Sequence, residues 1–412
     1  MKSTKTVMER RRFLASIGAV TVGSFLPWER AIGNVTYTPN QSPFPQVPKR
    51  TLGKSGVEIP ILGLGTTFDL REKQALLATC SQYGLFFDTA WNYATRNAEA
   101  GLGIFFKNNP EAKEKAFKVT KGDDLRTVDP DVTLMEQNMN ESLTLLGIDH
   151  VDAYLGLHGA NDPAQLTDKV RKWSFEMKKK GKFKMFGFSA HDNAANMLKA
   201  AAKTDFIDYA LVKYSFDMMD DKEMQDSIAD CYKAGIGLVA MKTQRNLSVT
   251  SELESKAQQD MAKHFLEKGY TQAQAKIKMV LEDKRFAAAI VGMPNIAQLI
   301  ENVAAVLDVT ALADKDKSVL REFALATSHS SCKGCSQFCS SAVTEVPISD
   351  IMRHLVYYNG HGNPEMAKEK FDHIPHHVRK NLNNYDYSLA EARCPQKIPI
   401  AKYIAEAIKL FS

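Results

Sequence analysis

Eight short runs rich in Val, Ile, Leu and Phe recur along the chain: Ile59–Gly65, Leu85–Ala90, Ala116–Lys121, Val151–Gly159, Phe183–His191, Tyr209–Phe216, Ile236–Thr243 and Ala287–Met293. Each is bounded by Gly, Asp or Asn, and runs this short and this apolar read as buried strands. Amphipathic helical spacing fills the intervals, as in Arg71–Gly84, Thr133–Gly147 and Gln165–Gly181. Strand and helix alternating eight times predict an α/β fold, a (β/α)8 TIM barrel, whose chemistry gathers where strands end and loops begin. Such a barrel takes about 250 residues, and residues 49–312 supply them. Four polar residues fall on that rim: Asp88 ends the second run with Tyr93 just past it, Lys121 closes the third, and His158 closes the fourth.

The flanks add to this picture. Arg10-Arg11-Arg12-Phe13-Leu14 precedes a mildly apolar stretch, Ala15–Leu26, which is short of the roughly 20 residues of a membrane-spanning helix. The pattern resembles a bacterial twin-arginine export signal. Residues 1–34 are expected to form that signal segment, and residues 35–48, with Pro39, Pro43, Pro45 and Pro48, an extended linker. The expected location is the periplasm or cell envelope, with no integral membrane span. Composition allows a sizeable core, at 44% hydrophobic and 25% charged. The formal net charge of +5 owes part of its excess to the Arg-rich head. Lys178–Lys180 with Lys182 is the densest basic cluster, and it ends a predicted helix where cations suit the dipole. Without interleaved aromatics it predicts no nucleic-acid partner.

Reducing a carbonyl by hydride requires a proton donor at the oxygen, and a phenol with its ordinary pKa of about 10 donates poorly at neutral pH. An adjacent ammonium favours phenolate. Lys121 would therefore tune Tyr93, Asp88 would hold Lys121 charged and oriented, and His158 would orient the substrate oxygen. The motifs carrying these residues are Phe87-Asp88-Thr89-Ala90-Trp91-Asn92-Tyr93, Val119-Thr120-Lys121 and Leu157-His158. Together with Arg50-Thr51-Leu52-Gly53-Lys54-Ser55-Gly56 and Leu62-Gly63-Leu64-Gly65-Thr66, they resemble the aldo-keto reductases. The resemblance implies that Asp88, Tyr93, Lys121 and His158 form that family's catalytic tetrad. It departs after Tyr93, where Ala94-Thr95-Arg96-Asn97-Ala98-Glu99 is two residues longer than relatives need to reach the Glu. That loop lines the substrate pocket in the family.

The same resemblance implies a nicotinamide nucleotide. Gly187-Phe188-Ser189 matches the family's carboxamide-binding motif at Ser189, with Ala190 in place of its Asn. Val291-Gly292-Met293-Pro294 and the segment Gln298–Asn302 match its adenosine clamp. There Asn302 would contact adenine and Gly292 the pyrophosphate or ribose phosphate. Gln298 replaces the arginine that often grips the 2′-phosphate and offers a dianion no charge, which leaves NAD and NADP both open. Met241 stands where many relatives stack an aromatic ring on the nicotinamide.

Four of the six cysteines, Cys332, Cys335, Cys339 and Cys394, lie in residues 313–412, and Pro395 follows the last. Ferredoxins use C-x2-C-x2-C-x3-C-P; here the third cysteine comes one residue late and the fourth is remote. The arrangement resembles exported aldo-keto reductases with a C-terminal ferredoxin-like extension. It implies that the four hold one 4Fe–4S cluster. The spacing alone also admits a structural zinc or two disulfides. Cys80 and Cys231 fall within barrel helices and read as small buried hydrophobes. Ile348–Tyr358 and Ile400–Phe411 predict amphipathic helices that pack a small α-helical, cysteine-ligated extension onto the barrel. His373, His376 and His377 read as an exposed loop. The expected activity is hydride transfer between a nicotinamide nucleotide and a carbonyl or alcohol, with sugar-derived compounds among the candidates and a redox partner for the cluster. The alternative is a non-catalytic electron-transfer or metal-binding protein with a degenerate barrel.

Overall fold

A computed structural model describes residues 44–123, 127–244, 256–330, 332–360 and 364–411, and the expected signal segment lies outside them. A short antiparallel hairpin, β1 (Lys49–Thr51) and β2 (Glu58–Pro60), precedes eight parallel strands. These are β3 (Leu62–Gly65), β4 (Phe86–Asp88), β5 (Lys118–Lys121), β6 (Val151–Leu157), β7 (Phe183–Ala190), β8 (Tyr209–Lys213), β9 (Gly237–Met241) and β10 (Phe286–Gly292). They pair in chain order, and β10 returns to pair with β3, closing a barrel. Each apolar run of the sequence supplies one of these strands, and a helix forms within each interval named above. The helix Val132–Leu146 shows why: the Asp131 carboxylate accepts from the backbone N–H groups of Thr133 and Leu134, and Gly147 ends the helix in the left-handed conformation. Met135, Met139, Leu143 and Leu146 recur on one face between those caps and are buried against the barrel.

Phe86, Val119, Leu155, Met185, Tyr209 and Val239 point inward and fill the barrel. Leu52 and Ile59 of the hairpin join that inner core, so the hairpin plugs the floor. Gly53 makes the plug fit: at φ +54°, a Cβ there would stand 2.3 Å from the Gly235 carbonyl oxygen. The Arg50 guanidinium latches the hairpin to the wall, donating to the carbonyls of Phe286 at 2.9 Å and Leu281 at 2.7 Å. Just before the hairpin, Phe44 meets the Tyr83 ring edge-on and Val47 is buried with its N–H on the Tyr83 carbonyl. The end of the proline-rich stretch is therefore seated on the barrel, because its apolar side chains find a place there.

The helix Asp314–Ala326 packs Leu320 and Phe323 against Phe216, Met261 and Phe265 of the barrel's outer layer. A second core begins at Val343 and gathers Ile351, Leu355, Phe371, Ile404 and Phe411 from the helices Ile348–Leu355, Pro364–Asp372 and Ile400–Phe411. Cys80 and Cys231 are buried as expected, and burial pushes the Cys231 thiol up to about 12. His373, His376 and His377 are exposed, although His376 and His377 open the short helix His376–Asn381 rather than lying in a loop. Among the described residues no helix is long and apolar enough to cross a membrane.

Candidate active site

Asp88 ends β4, Lys121 ends β5 and His158 directly follows β6, so three adjacent strands deliver these side chains to one rim. Lys121 Nζ lies 2.6 Å from Asp88 Oδ2 and also donates to the Thr89 carbonyl at 2.7 Å. Both members of the pair are buried. Burial raises the Asp88 carboxyl above the usual carboxylate range, against the opposing pull of Lys121 and His158. The same ammonium stands 4.8 Å from the centre of the Tyr93 ring. The rings of Tyr93 and His158 meet edge to face at 5.9 Å. His158 Nδ1 lies 2.8 Å from the Gly122 carbonyl oxygen. A carbonyl only accepts, so Nδ1 carries a proton. The four residues expected to act together do meet in one place.

Tyr93 opens an unusual turn. Ala94, Thr95 and Arg96 have φ values of 49°, 51° and 72°, three left-handed residues in succession and none of them glycine. Such a conformation costs an L-residue roughly 1–2 kcal/mol. The two-residue lengthening seen in the sequence lies in this turn. Contacts at its far end offset the strain. The Arg96 guanidinium stands 5.2 Å from the centre of the Trp91 ring and 3.0 Å from Glu141 Oε2, and Trp91 Nε1 donates to that same oxygen at 2.8 Å. Behind the site, Glu99 is fully buried and accepts a 2.6 Å hydrogen bond from Thr120 Oγ1, next to Lys121 in the chain. Burial pushes its carboxyl up to about 7, with the Thr120 bond opposing. The sequence motifs assign Glu99 no role of its own. The available signal was an acid on the same helical face as Ala98, Leu102 and Phe106, which are all buried.

The residues expected to hold a nucleotide occupy the ends of β7 and β10 and the helix beyond. Ser189 is buried, and its Oγ accepts from the Gly159 N–H at 3.0 Å. Gly292 is exposed at the end of β10. Gln298 is exposed in the first turn of the helix Ile296–Leu307, where its N–H bonds to Asn295 Oδ1 at 2.9 Å. Asn302 is buried with its amide engaged at both ends: Nδ2 donates to the Gln298 carbonyl at 2.9 Å and Oδ1 accepts from Gln244. An adenine at Asn302 would share Oδ1 with Gln244 or take the second Nδ2 hydrogen.

Cys332, Cys335, Cys339 and Cys394 line one cavity together with Phe338, Met352 and Pro395. The cavity, including its open mouth, spans about 380 Å³. None of the six cysteines is in a disulfide. Burial, with lesser contributions from the neighbouring thiols, pushes Cys335 and Cys339 up to about 12. Burial also raises Cys332, against the pull of Lys213. Among the described residues no three His, Cys, Asp or Glu side chains stand close enough to hold a single metal ion.

A thermostable aldo-keto reductase, solved with the inhibitor epalrestat, superposes with a TM-score of 0.55 at 23% identity, over 67% of this chain and 100% of that one. The holo form of an aldo-keto reductase from Bacillus halodurans gives a TM-score of 0.56 at 20% identity, over 68% of this chain and 96% of that one. At such identities these two structures speak for the fold alone. No curated protein matches the chain. The sequence does match the Aldo/keto reductase family over residues 61–324. That span exceeds half of the chain, which therefore belongs to the aldo/keto reductase family of oxidoreductases.

Proposed function

We propose that the protein interconverts a small carbonyl compound and its alcohol, with Tyr93 as general acid or base in a barrel that binds NAD or NADP. The observation that carries this reading is the Lys121 ammonium, bonded to Asp88 at 2.6 Å and held 4.8 Å from the centre of the Tyr93 ring. A cation so placed stabilises the phenolate that Tyr93 becomes on giving up its proton. Asp88 fixes that cation, and the burial of the pair strengthens their mutual hold. His158, fixed through Nδ1 on the Gly122 carbonyl, stands beside the Tyr93 ring, where it would orient the substrate oxygen; a carbonyl oxygen receives its proton from Tyr93. A bound nicotinamide nucleotide supplies or accepts the hydride. Ser189, buried at the end of β7, and Gly292, exposed at the end of β10, support a nucleotide site, and the exposed Gln298 offers no charge for a 2′-phosphate. Sugar-derived carbonyls are among the candidate substrates.

We further propose that residues 313–412 hold one 4Fe–4S cluster through Cys332, Cys335, Cys339 and Cys394, and that a twin-arginine signal in residues 1–34 exports the loaded protein to the periplasm or cell envelope. Four thiols around one cavity support the ligand set. In a cubane each thiolate binds a different iron, so the ligands stand farther apart than around one ion. The four thiols would give up their protons to hold iron. A bound cluster supplies one-electron transfer.

One preparation tests both halves. Anaerobically purified protein is expected to contain about four irons and four sulfides per chain, and to reduce 4-nitrobenzaldehyde with NADH or NADPH. Tyr93→Phe is expected to slow that reduction by about 10²–10⁴-fold with nucleotide binding unchanged. Near wild-type turnover in the variant would remove the acid–base assignment, and one zinc without sulfide would remove the cluster.

A further inference from the structure

The cysteine cavity is built onto the barrel's catalytic rim. Lys213, the last residue of β8, is buried, and its Nζ donates to the Cys332 carbonyl at 2.7 Å. One strand away, just beyond β7, Asp192 is also buried and pairs with Arg353 of the extension at 2.9 Å. The loop between the first two cysteines is pressed against the barrel. Asn193 N–H donates to the Gly334 carbonyl at 2.9 Å, and Lys333 Nζ donates to the Asp217 carbonyl at 2.8 Å. At Gly334, with φ +77°, a Cβ would stand 2.6 Å from Asp192 Oδ1 and 2.7 Å from the His191 carbonyl oxygen, so only glycine allows this approach. The barrel thus offers the cysteine loop one buried cation and one buried anion from neighbouring strand ends. Lys213 meets the Cys332 carbonyl and Asp192 stands against Gly334, so both charges border the loop that carries Cys332 and Cys335.

We propose that Lys213 and Asp192 are positioning residues that set the reduction potential of the cysteine-held cluster from the barrel side, Lys213 raising it and Asp192 lowering it. This inference rests on the cluster reading above. Reduction adds one electron and one negative charge to the centre, with no bond made or broken. A buried cation beside it favours the reduced form and a buried anion the oxidised form. Arg353 offsets part of the Asp192 charge and weakens its effect. The barrel and the extension then form one redox unit, with the charge at the end of β8 shared between them.

The test is the midpoint potential of the cluster in full-length protein, reduced stepwise with dithionite and followed by visible absorbance and electron paramagnetic resonance. Iron and sulfide are assayed on every sample. At a fixed potential, Lys213→Gln is expected to lower the reduced-to-oxidised ratio about tenfold, equivalent to about 59 mV for a one-electron couple. Lys213→Arg keeps the charge and is expected to stay within about twofold of wild type. Asp192→Asn is expected to move the ratio the opposite way by a smaller factor. A purely structural role would loosen the cluster without shifts of opposite sign. If Lys213→Gln releases the extension, the sign of the Asp192→Asn shift decides. A full cluster whose potential is unmoved by Lys213→Gln, or moved in the same direction by both neutralising variants, overturns this inference alone. Wild-type protein without iron and sulfide overturns the cluster reading and this inference with it.

Discussion

Replacing Glu99 by Gln keeps the side chain's shape and its acceptor for Thr120 Oγ1, and removes only the ionisation. Glu99 has no exposed surface, and burial carries its carboxyl from 4.5 to about 7. The folded state therefore holds this proton more tightly than the unfolded chain does. The stability linked to it is fully present below about pH 4.5 and is lost as the pH rises through about 7. Each pH unit between the two titrations is worth about 1.4 kcal/mol, so the loss approaches about 3 kcal/mol in the alkaline limit. Gln carries no such penalty. Glu99→Gln is expected to stabilise the protein by about 3 kcal/mol at pH 8.5 and by less than about 1 kcal/mol at pH 5. Urea unfolding followed by circular dichroism at the two pH values measures the difference, provided the denaturant slopes of variant and parent agree. An equal gain at both pH values, or a loss at pH 8.5, would refute the reasoning, because either would mean that the carboxylate is solvated or paired in the folded state.

Thr95→Gly relieves one left-handed residue in the turn after Tyr93 at the cost of a freer unfolded chain. A net gain of a few tenths to about 1 kcal/mol is expected in thermal melts, with slower carbonyl reduction as Tyr93 loses its anchor; a lower melting temperature would show that the turn is unstrained. Gln298→Arg introduces a partner for a 2′-phosphate and is expected to tighten NADP binding by roughly tenfold while leaving NAD little changed. Titration calorimetry showing equal changes for both nucleotides would place Gln298 away from the phosphate.

The barrel was legible because its parallel strands are buried on both faces, which turns each into a short, almost unbroken apolar run. Asp88, Lys121 and His158 were legible because strand ends are where such a barrel exposes chemistry. Other features depend on contacts that the local sequence does not encode. Ala94, Thr95 and Arg96 have no intrinsic preference for the left-handed conformation, so only the extra length of their loop was visible. Glu99 reads as an ordinary acid in a helix until Thr120, twenty-one residues away, closes over it. Lys213 lies 119 residues from Cys332, and Asp192 lies 161 from Arg353, so nothing local ties the rim to the extension. Asn302 was placed by motif, whereas its engagement by Gln244 follows from how β9 and the helix Ile296–Leu307 pack.

The plugged floor has a kinetic consequence. With Leu52 and Ile59 inside the lower end of the barrel, nothing can pass through it, so any molecule that reaches Tyr93 must leave by the opening through which it came. The extension roofs part of that same opening, standing over the ends of β7 and β8 and laying Tyr357 against Lys242 just beyond β9. Entry and departure therefore take turns in one narrowed doorway. On the proposed reading, clearance of the product through that doorway competes with proton transfer from Tyr93 in setting turnover.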